Sequence, residues 1–219
     1  MIADYKQNGF YLVKDRFGNS ALSNLEDVIL RFHEKWRGDN VSHYRAGAVN
    51  SAYLTGTKYL EDEDRMVLFK FITTSMVLDI LQEIIPDSPA FMNTQLFFNP
   101  FNLEQKNYWH RDIQYNDYSV EYQKKAIKQF NVVHFRIPLR SEPGLEVIPG
   151  SHNRWDTDEE YHTRMQKNGR KNSDELKSSC RLQPGVGDLL VFSANMIHRG
   201  IYGGTGSCLI SCSAIHTRI

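Results

Sequence analysis

The sequence predicts a mainly β domain: a double-sheet jelly-roll barrel with helices packed outside it. Two long segments with apolar residues at three-and-four spacing fall before residue 86. After Pro89 the pattern changes to short β-rich runs, punctuated by Asn99-Pro100, Pro143-Gly144, Pro149-Gly150, Pro184-Gly185 and Gly203-Gly204. Helices followed by antiparallel-type strands are the signature of a barrel with its helices on the outside. The 219 residues suit one domain. The helical flank is expected mainly over 20–86 and the jelly-roll core mainly over 90–219, with a polar excursion at 153–180.

Gly9-Phe10-Tyr11-Leu12-Val13 reads as a short strand after a polar lead-in. Residues 21–37 carry Leu25, Val28, Ile29, Phe32 and Trp36 on one helical face, with Gly38 as the stop. A second helix is expected over 62–85, with Met66, Phe69, Ile72, Met76, Ile80 and Ile84 on its apolar face and Pro86 as its end. Strands are expected at 91–98, 131–139, 145–148, 187–192 and 207–215. The charged stretch 153–180 is expected to be a mobile, solvated excursion over the barrel mouth. Its Arg154, Arg164, Lys167, Arg170 and Lys171 offer a second reading, an anion-binding loop.

Lys+Arg and Asp+Glu both total 26, so the formal net charge is zero. That excludes the basic footprint of a nucleic-acid binder and leaves no charge run for a membrane-surface helix. The N-terminus has no signal-type apolar stretch. No window approaches the roughly 18 apolar residues of a membrane span. Of three cysteines, Cys208 and Cys212 lie about 13 Å apart if extended, too far for a disulfide. A soluble cytoplasmic protein is expected, acting on a small molecule, with no nucleic-acid or membrane partner. The oligomeric state is left open.

His110-Arg111-Asp112 and the remote His198 carry the chemistry. Two imidazoles and one carboxylate make the ligand set that holds non-haem Fe(II) by one face and leaves positions open for reaction. On extended chain, residues i and i+2 share a face, so His110 and Asp112 can converge while Arg111 points away. Alone the spacing is weak, and a surface histidine at a strand end reads equally from it.

The surrounding phrases are more specific. Gly144-Leu145-Glu146-Val147-Ile148-Pro149-Gly150-Ser151-His152, Gln183-Pro184-Gly185-Val186-Gly187-Asp188 running into Phe192, and Ile197-His198-Arg199-Gly200 occur in order. With Asn8-Gly9-Phe10 and Trp109-His110-x-Asp112, the chain resembles the phytanoyl-CoA dioxygenase family. The resemblance implies a cupin-like double-stranded β-helix, with Fe(II) on His110, Asp112 and His198. It also implies 2-oxoglutarate and O₂ as co-substrates, with succinate and CO₂ as products. Related halogenases carry a small residue in place of the carboxylate, so Asp112 favours hydroxylation, or desaturation or cyclisation by the same oxidant.

One family feature is missing. Members carry an arginine about ten residues past the distal histidine for the far carboxylate of 2-oxoglutarate, where bidentate recognition suits arginine. Here Ser207 stands at that place, and neither arginine nor lysine lies between Arg199 and Arg218. Arg136, in an apolar strand at a position where the family often has a pocket tryptophan, is the replacement candidate, or else pairs with an internal carboxylate. His134 shares its face and is a candidate pocket residue. Gln95, two residues from Asn93, is the candidate amide contact to 2-oxoglutarate. Tyr108 and Trp109 are expected to pack, His152 to close its turn, Asp188 to hold a turn, and Arg199 to face away from the metal. His33 and His43 read as ordinary surface or helix residues. Two other functions remain: a metal-dependent jelly-roll enzyme that does not use 2-oxoglutarate, and a non-catalytic metal-binding jelly-roll protein.

Overall fold

The computed structural model describes residues 2–51, 53–129, 131–203 and 208–216, with 129, 131 and 208–216 described by backbone alone. In chain order the helices are α1 (Ile2–Asn8), α2 (Asn19–Asp39), α3 (Val41–Arg45), α4 (Asp62–Ile72), α5 (Ser75–Ile84), α6 (Val120–Gln129) and α7 (Asp158–Arg164). The strands are β1 (Phe10–Val13), β2 (Ala90–Phe98), β3 (Asn131–Pro138), β4 (Leu145–Val147), β5 (Cys180–Leu182), β6 (Leu189–Ser193), β7 (His198–Gly200) and β8 (Cys208–His216). They form two antiparallel sheets, one ordered β1-β6-β3-β8-β2 and one ordered β5-β4-β7.

The chain is therefore mixed α/β rather than mainly β. Helices α1, α3 and α7 are short and lie in polar stretches, where an apolar face of one or two turns leaves little periodic signal, and the longer amphipathic α6 adds a fourth unexpected helix. The expected 62–85 helix breaks into α4 and α5. Thr73 turns its hydroxyl to the Phe69 carbonyl at 2.7 Å, and Thr74 takes an extended backbone (ψ 152°) as the cap of α5. Threonine side chains that bond nearby backbone compete with continued helix. Helix α2 passes through Gly38 and ends at Asn40, whose backbone and side-chain N–H groups both bond the Trp36 carbonyl.

Strand alternation sorts the two faces of the large sheet. On β3, Val133, Phe135 and Ile137 enter the core with Leu25, Ile29 and Phe32 of α2, leaving His134 and Arg136 on the opposite face. On β2, Thr94, Leu96 and Phe98 are buried, and Asn93, Gln95 and Phe97 alternate with them. Strand β8 pairs with both β2 and β3, setting its Ser211 backbone opposite Gln95 and Arg136.

Two of the resemblance's phrases meet in space. Gly150 N–H bonds the Asn8 carbonyl at 2.9 Å, and Gly9 packs on His152. Gly9 has φ +87°, and a Cβ there would stand 2.5 Å from His152 Nδ1, so the position needs glycine twice over. His152 thus closes its turn against α1 and touches Tyr5. Asp188 holds its turn by accepting from Gly185 N–H, Asp15 N–H and Lys14 Nζ.

The stretch 153–180 is solvated only in part, with a helix and a few buried side chains among its exposed residues. Thr157 and Glu160 form a reciprocal capping box that starts α7. Glu160, Thr163, Arg164 and Leu176 are buried. Four of its cations are engaged: Arg154 with Glu160, Arg164 with Asp156, Arg170 with Glu159, and Lys167 with the Tyr161 hydroxyl. Polar composition here reflects internal ion pairing, and these groups are not free for an anionic ligand.

Candidate metal centre

His110, Asp112 and His198 come together at one end of a cavity of about 370 Å³ between the two sheets. The strand argument holds only in part. His110 and His198 face each other across an antiparallel bridge, exchanging backbone hydrogen bonds of 3.0 Å. Asp112 instead opens a 3-10 turn over Asp112–Tyr115, but Arg111 between them is extended (φ −118°, ψ 141°). The alternation therefore survives locally, sending Arg111 the opposite way.

The donor atoms are set by the backbone. His110 Nδ1 lies 3.1 Å from the Tyr108 carbonyl and His198 Nδ1 3.0 Å from the Met196 carbonyl. Each carbonyl can only accept, so each ring carries its proton on Nδ1 and presents a bare Nε2. The two Nε2 atoms stand 3.7 and 3.6 Å from Asp112 Oδ1, and the three donors lie within 4.8 Å of one another. Burial pushes the His198 imidazole down to about 3 and lowers His110 as well. Burial alone would raise the Asp112 carboxyl, but His134, hydrogen-bonded to its Oδ2, holds it well below the usual carboxylate range. Neutral imidazoles beside an ionised carboxylate are the protonation states metal binding requires. The site fits a divalent first-row ion.

His134 lines the cavity, as its face of β3 implies, and it also meets the carboxylate. Its Nε2 bonds Asp112 Oδ2 at 2.6 Å, leaving Oδ1 toward the two ligand rings. It orients the carboxylate from behind, the role outer partners play at metal sites. Replacing His134 by alanine is expected to weaken metal affinity about 10–100-fold, while His134→Gln, which can still donate, recovers part of the loss. Calorimetric titration with Ni(II) checks this, and unchanged affinity in His134→Ala would count against the role.

Arg136 and Gln95 both line the cavity. Arg136 is bonded through Nε and Nη2 to Glu142 at 2.9 and 2.5 Å, and both side chains are buried. Arg136 therefore lines the cavity wall and has the internal carboxylate partner of its second reading. Ser207 lies outside the described residues. Trp109 packs, fully buried, with its indole N–H on the Asp174 carbonyl, whereas Tyr108 lines the cavity. Arg199 points away, bonding Glu146 and Glu175 over the Trp109 ring. His33 stacks on Phe98 and His43 meets Trp36, both away from this cavity. His152 lines a second cavity of about 330 Å³.

Glu142, Asn107, Tyr115 and Tyr202 were not singled out from sequence. Glu142 follows Arg136 by six residues, and no helical or strand period links that spacing. Tyr202, four residues past His198, was the readable one.

The family model for phytanoyl-CoA dioxygenase matches residues 5–201, nearly the whole chain. The chain belongs to the phytanoyl-CoA dioxygenase family. No curated protein matches the sequence. Among solved structures, HygX from Streptomyces hygroscopicus with nickel and 2-oxoglutarate bound superposes with TM-score 0.68 at 12% identity, covering 100% of this chain and 86% of that one. AviO1 from Streptomyces viridochromogenes Tue57 gives TM-score 0.67 at 14% identity, with 99% and 94% covered. EctD from S. alaskensis with 2-oxoglutarate and 5-hydroxyectoine gives 0.63 at 12%, with 97% and 73% covered. At these identities the likeness is one of fold. The matched range contains His110, Asp112 and His198 as well as Arg136 of the cavity wall.

Proposed function

We propose that the chain is a non-haem Fe(II)- and 2-oxoglutarate-dependent dioxygenase that hydroxylates a small molecule, with His110, Asp112 and His198 as metal ligands. The observation that carries it is the convergence of two bare imidazole nitrogens and one carboxylate oxygen at the cavity's end, in a chain of this family. Iron(II) with 2-oxoglutarate supplies, when bound, the oxidation: one atom of O₂ goes to succinate with release of CO₂, the other to the substrate hydroxyl. The protein's own residues hold and orient. His110 and His198 present Nε2 with their other nitrogens fixed on carbonyls. His134 restricts Asp112 to one ligating oxygen. Gln95 offers an amide to the co-substrate, and Arg136 a cation for its far carboxylate. The two sheets are read as the halves of a double-stranded β-helix enclosing this site, and the cytoplasm as its compartment. Among the described residues no helix is long and apolar enough to cross a membrane.

Anaerobic loading with Fe(II), then addition of 2-oxoglutarate and air, tests this. Succinate formed in step with 2-oxoglutarate consumed is expected. A metal enzyme of other chemistry or a non-catalytic metal protein forms none, and the absence of succinate with or without added substrate would remove the reading.

Arg136→Ala is expected to weaken 2-oxoglutarate binding about 10–100-fold, as for a hydrogen-bonded charge of about 1.5–3 kcal/mol. Because that change strands Glu142 in the wall, Arg136→Met with Glu142→Leu serves as the folded control. An unchanged dissociation constant in both would assign the C5 carboxylate elsewhere.

A further inference from the structure

We infer that the substrate is a neutral, polyhydroxylated ring, a sugar or cyclitol unit, recognised by carboxamides and tyrosines of the cavity wall. The inference rests on the dioxygenase reading of the same cavity. Besides Gln95, read above as a co-substrate contact, the wall carries the carboxamides Asn50, Asn93, Gln105 and Asn107. Among the described lining residues the one carboxylate is Asp112, held by His134 and facing the two ligand rings. A cationic substrate therefore meets no free anion. Of the two cations, Arg136 is bonded to Glu142 and committed to the co-substrate, leaving only the exposed Lys106 for an anionic substrate. A long acyl chain fits poorly too, because it would bury these amides without partners.

The wall also asks for a particular kind of hydrogen bond. Asn93 Oδ1 and Asn107 Oδ1 are buried acceptors with no partner. Gln105 is already spent, donating Nε2 to the Gly47 carbonyl at 2.9 Å. A buried acceptor left unpaired is costly, so it is a demand for a donor. Terminal carboxamide torsions are broad, and each oxygen can swing to a ligand O–H. Tyr108, Tyr115 and Tyr202 add ring faces for the C–H face of a sugar and hydroxyls for its edge. Two donor-seeking amides, phenolic hydroxyls and no spare charge beyond the exposed Lys106 are complementary to a ring of hydroxyls.

The test uses the Ni(II)-loaded full chain with 2-oxoglutarate, after calorimetry has shown that the wild type binds 2-oxoglutarate. The probes are glucose, galactose, their methyl glycosides and myo-inositol, against glycine betaine, octanoate and octanoyl-CoA. Calorimetric binding of polyols is expected, weakened at least about tenfold in Asn93→Leu and in Asn107→Leu. The ligand-free variants are expected to melt about 2–4 °C higher than wild type, because an unsatisfied acceptor has been replaced by an apolar group of similar shape. A lower melting temperature would mean that the amides hold the fold, and would overturn the inference. So would binding confined to betaine, octanoate or the thioester, or no polyol binding in protein that still binds 2-oxoglutarate. Failure to bind 2-oxoglutarate at all would instead remove the dioxygenase reading underneath.

Discussion

Replacing Asp156 by alanine is expected to lower the unfolding free energy by about 3–5 kcal/mol, a large share of the roughly 5–15 kcal/mol of a typical domain. Asp156 is fully buried between two buried guanidiniums. Arg111 Nε donates to its Oδ1 at 2.7 Å, and Arg164 reaches its Oδ2 through Nε and Nη2 at 2.9 and 2.7 Å. Arg111 spends its other N–H groups on the Ser151, Asn195 and Arg154 carbonyls. Burial pushes Arg111 down to about 10 even with Asp156 opposing, which shows how dry the position is. Deleting the shared carboxylate leaves two cations in that medium without their anion. Arg111 is also the residue between His110 and Asp112, so the same change should loosen the metal loop. Urea denaturation of the metal-free protein measures the loss. Asp64→Ala, which removes the exposed Arg31–Asp64 pair, should cost no more than about 1 kcal/mol. A loss as small in Asp156→Ala would show that the buried network does not hold this region.

Asp112→Ala is expected to abolish 2-oxoglutarate turnover and to weaken metal binding by more than the roughly 100-fold that an outer partner such as His134 reaches. The change removes the one anionic donor, and it also leaves His134 facing a void where its acceptor was. Parallel Ni(II) titrations of the two variants rank the effects. Equal losses in His134→Ala and Asp112→Ala would mean that the carboxylate acts on the ion only weakly.

Much of this site can be read from the chain because its determinants are local. The His110-x-Asp112 spacing depends on one extended residue between them, and the alternation of β2 and β3 puts Asn93, Gln95, His134 and Arg136 on readable faces. The glycines of Asn8-Gly9-Phe10 and Pro149-Gly150-Ser151-His152 reflect backbone conformations that their neighbours cannot supply. What escaped was pairing at a distance. Asp156 with Arg111, and Arg136 with Glu142, are matched only once the fold brings them together, so 153–180 read as solvated when part of it is an internally neutralised layer. His134 was read on the right face, but its bond to Asp112 was not legible: periodicity shows where a side chain points, not which atom it meets there. The mixed character of the fold escaped in part because three short helices, α1, α3 and α7, carry too few turns for a periodic signal.

Calorimetric titration of 2-oxoglutarate into the protein with and without Ni(II), in wild type and His198→Ala, tests the metal centre most directly. Binding that requires the metal, and that is lost in His198→Ala, is expected. Equal binding without metal, or undiminished metal-dependent binding in His198→Ala, would contradict His110, Asp112 and His198 as the centre of this protein's chemistry.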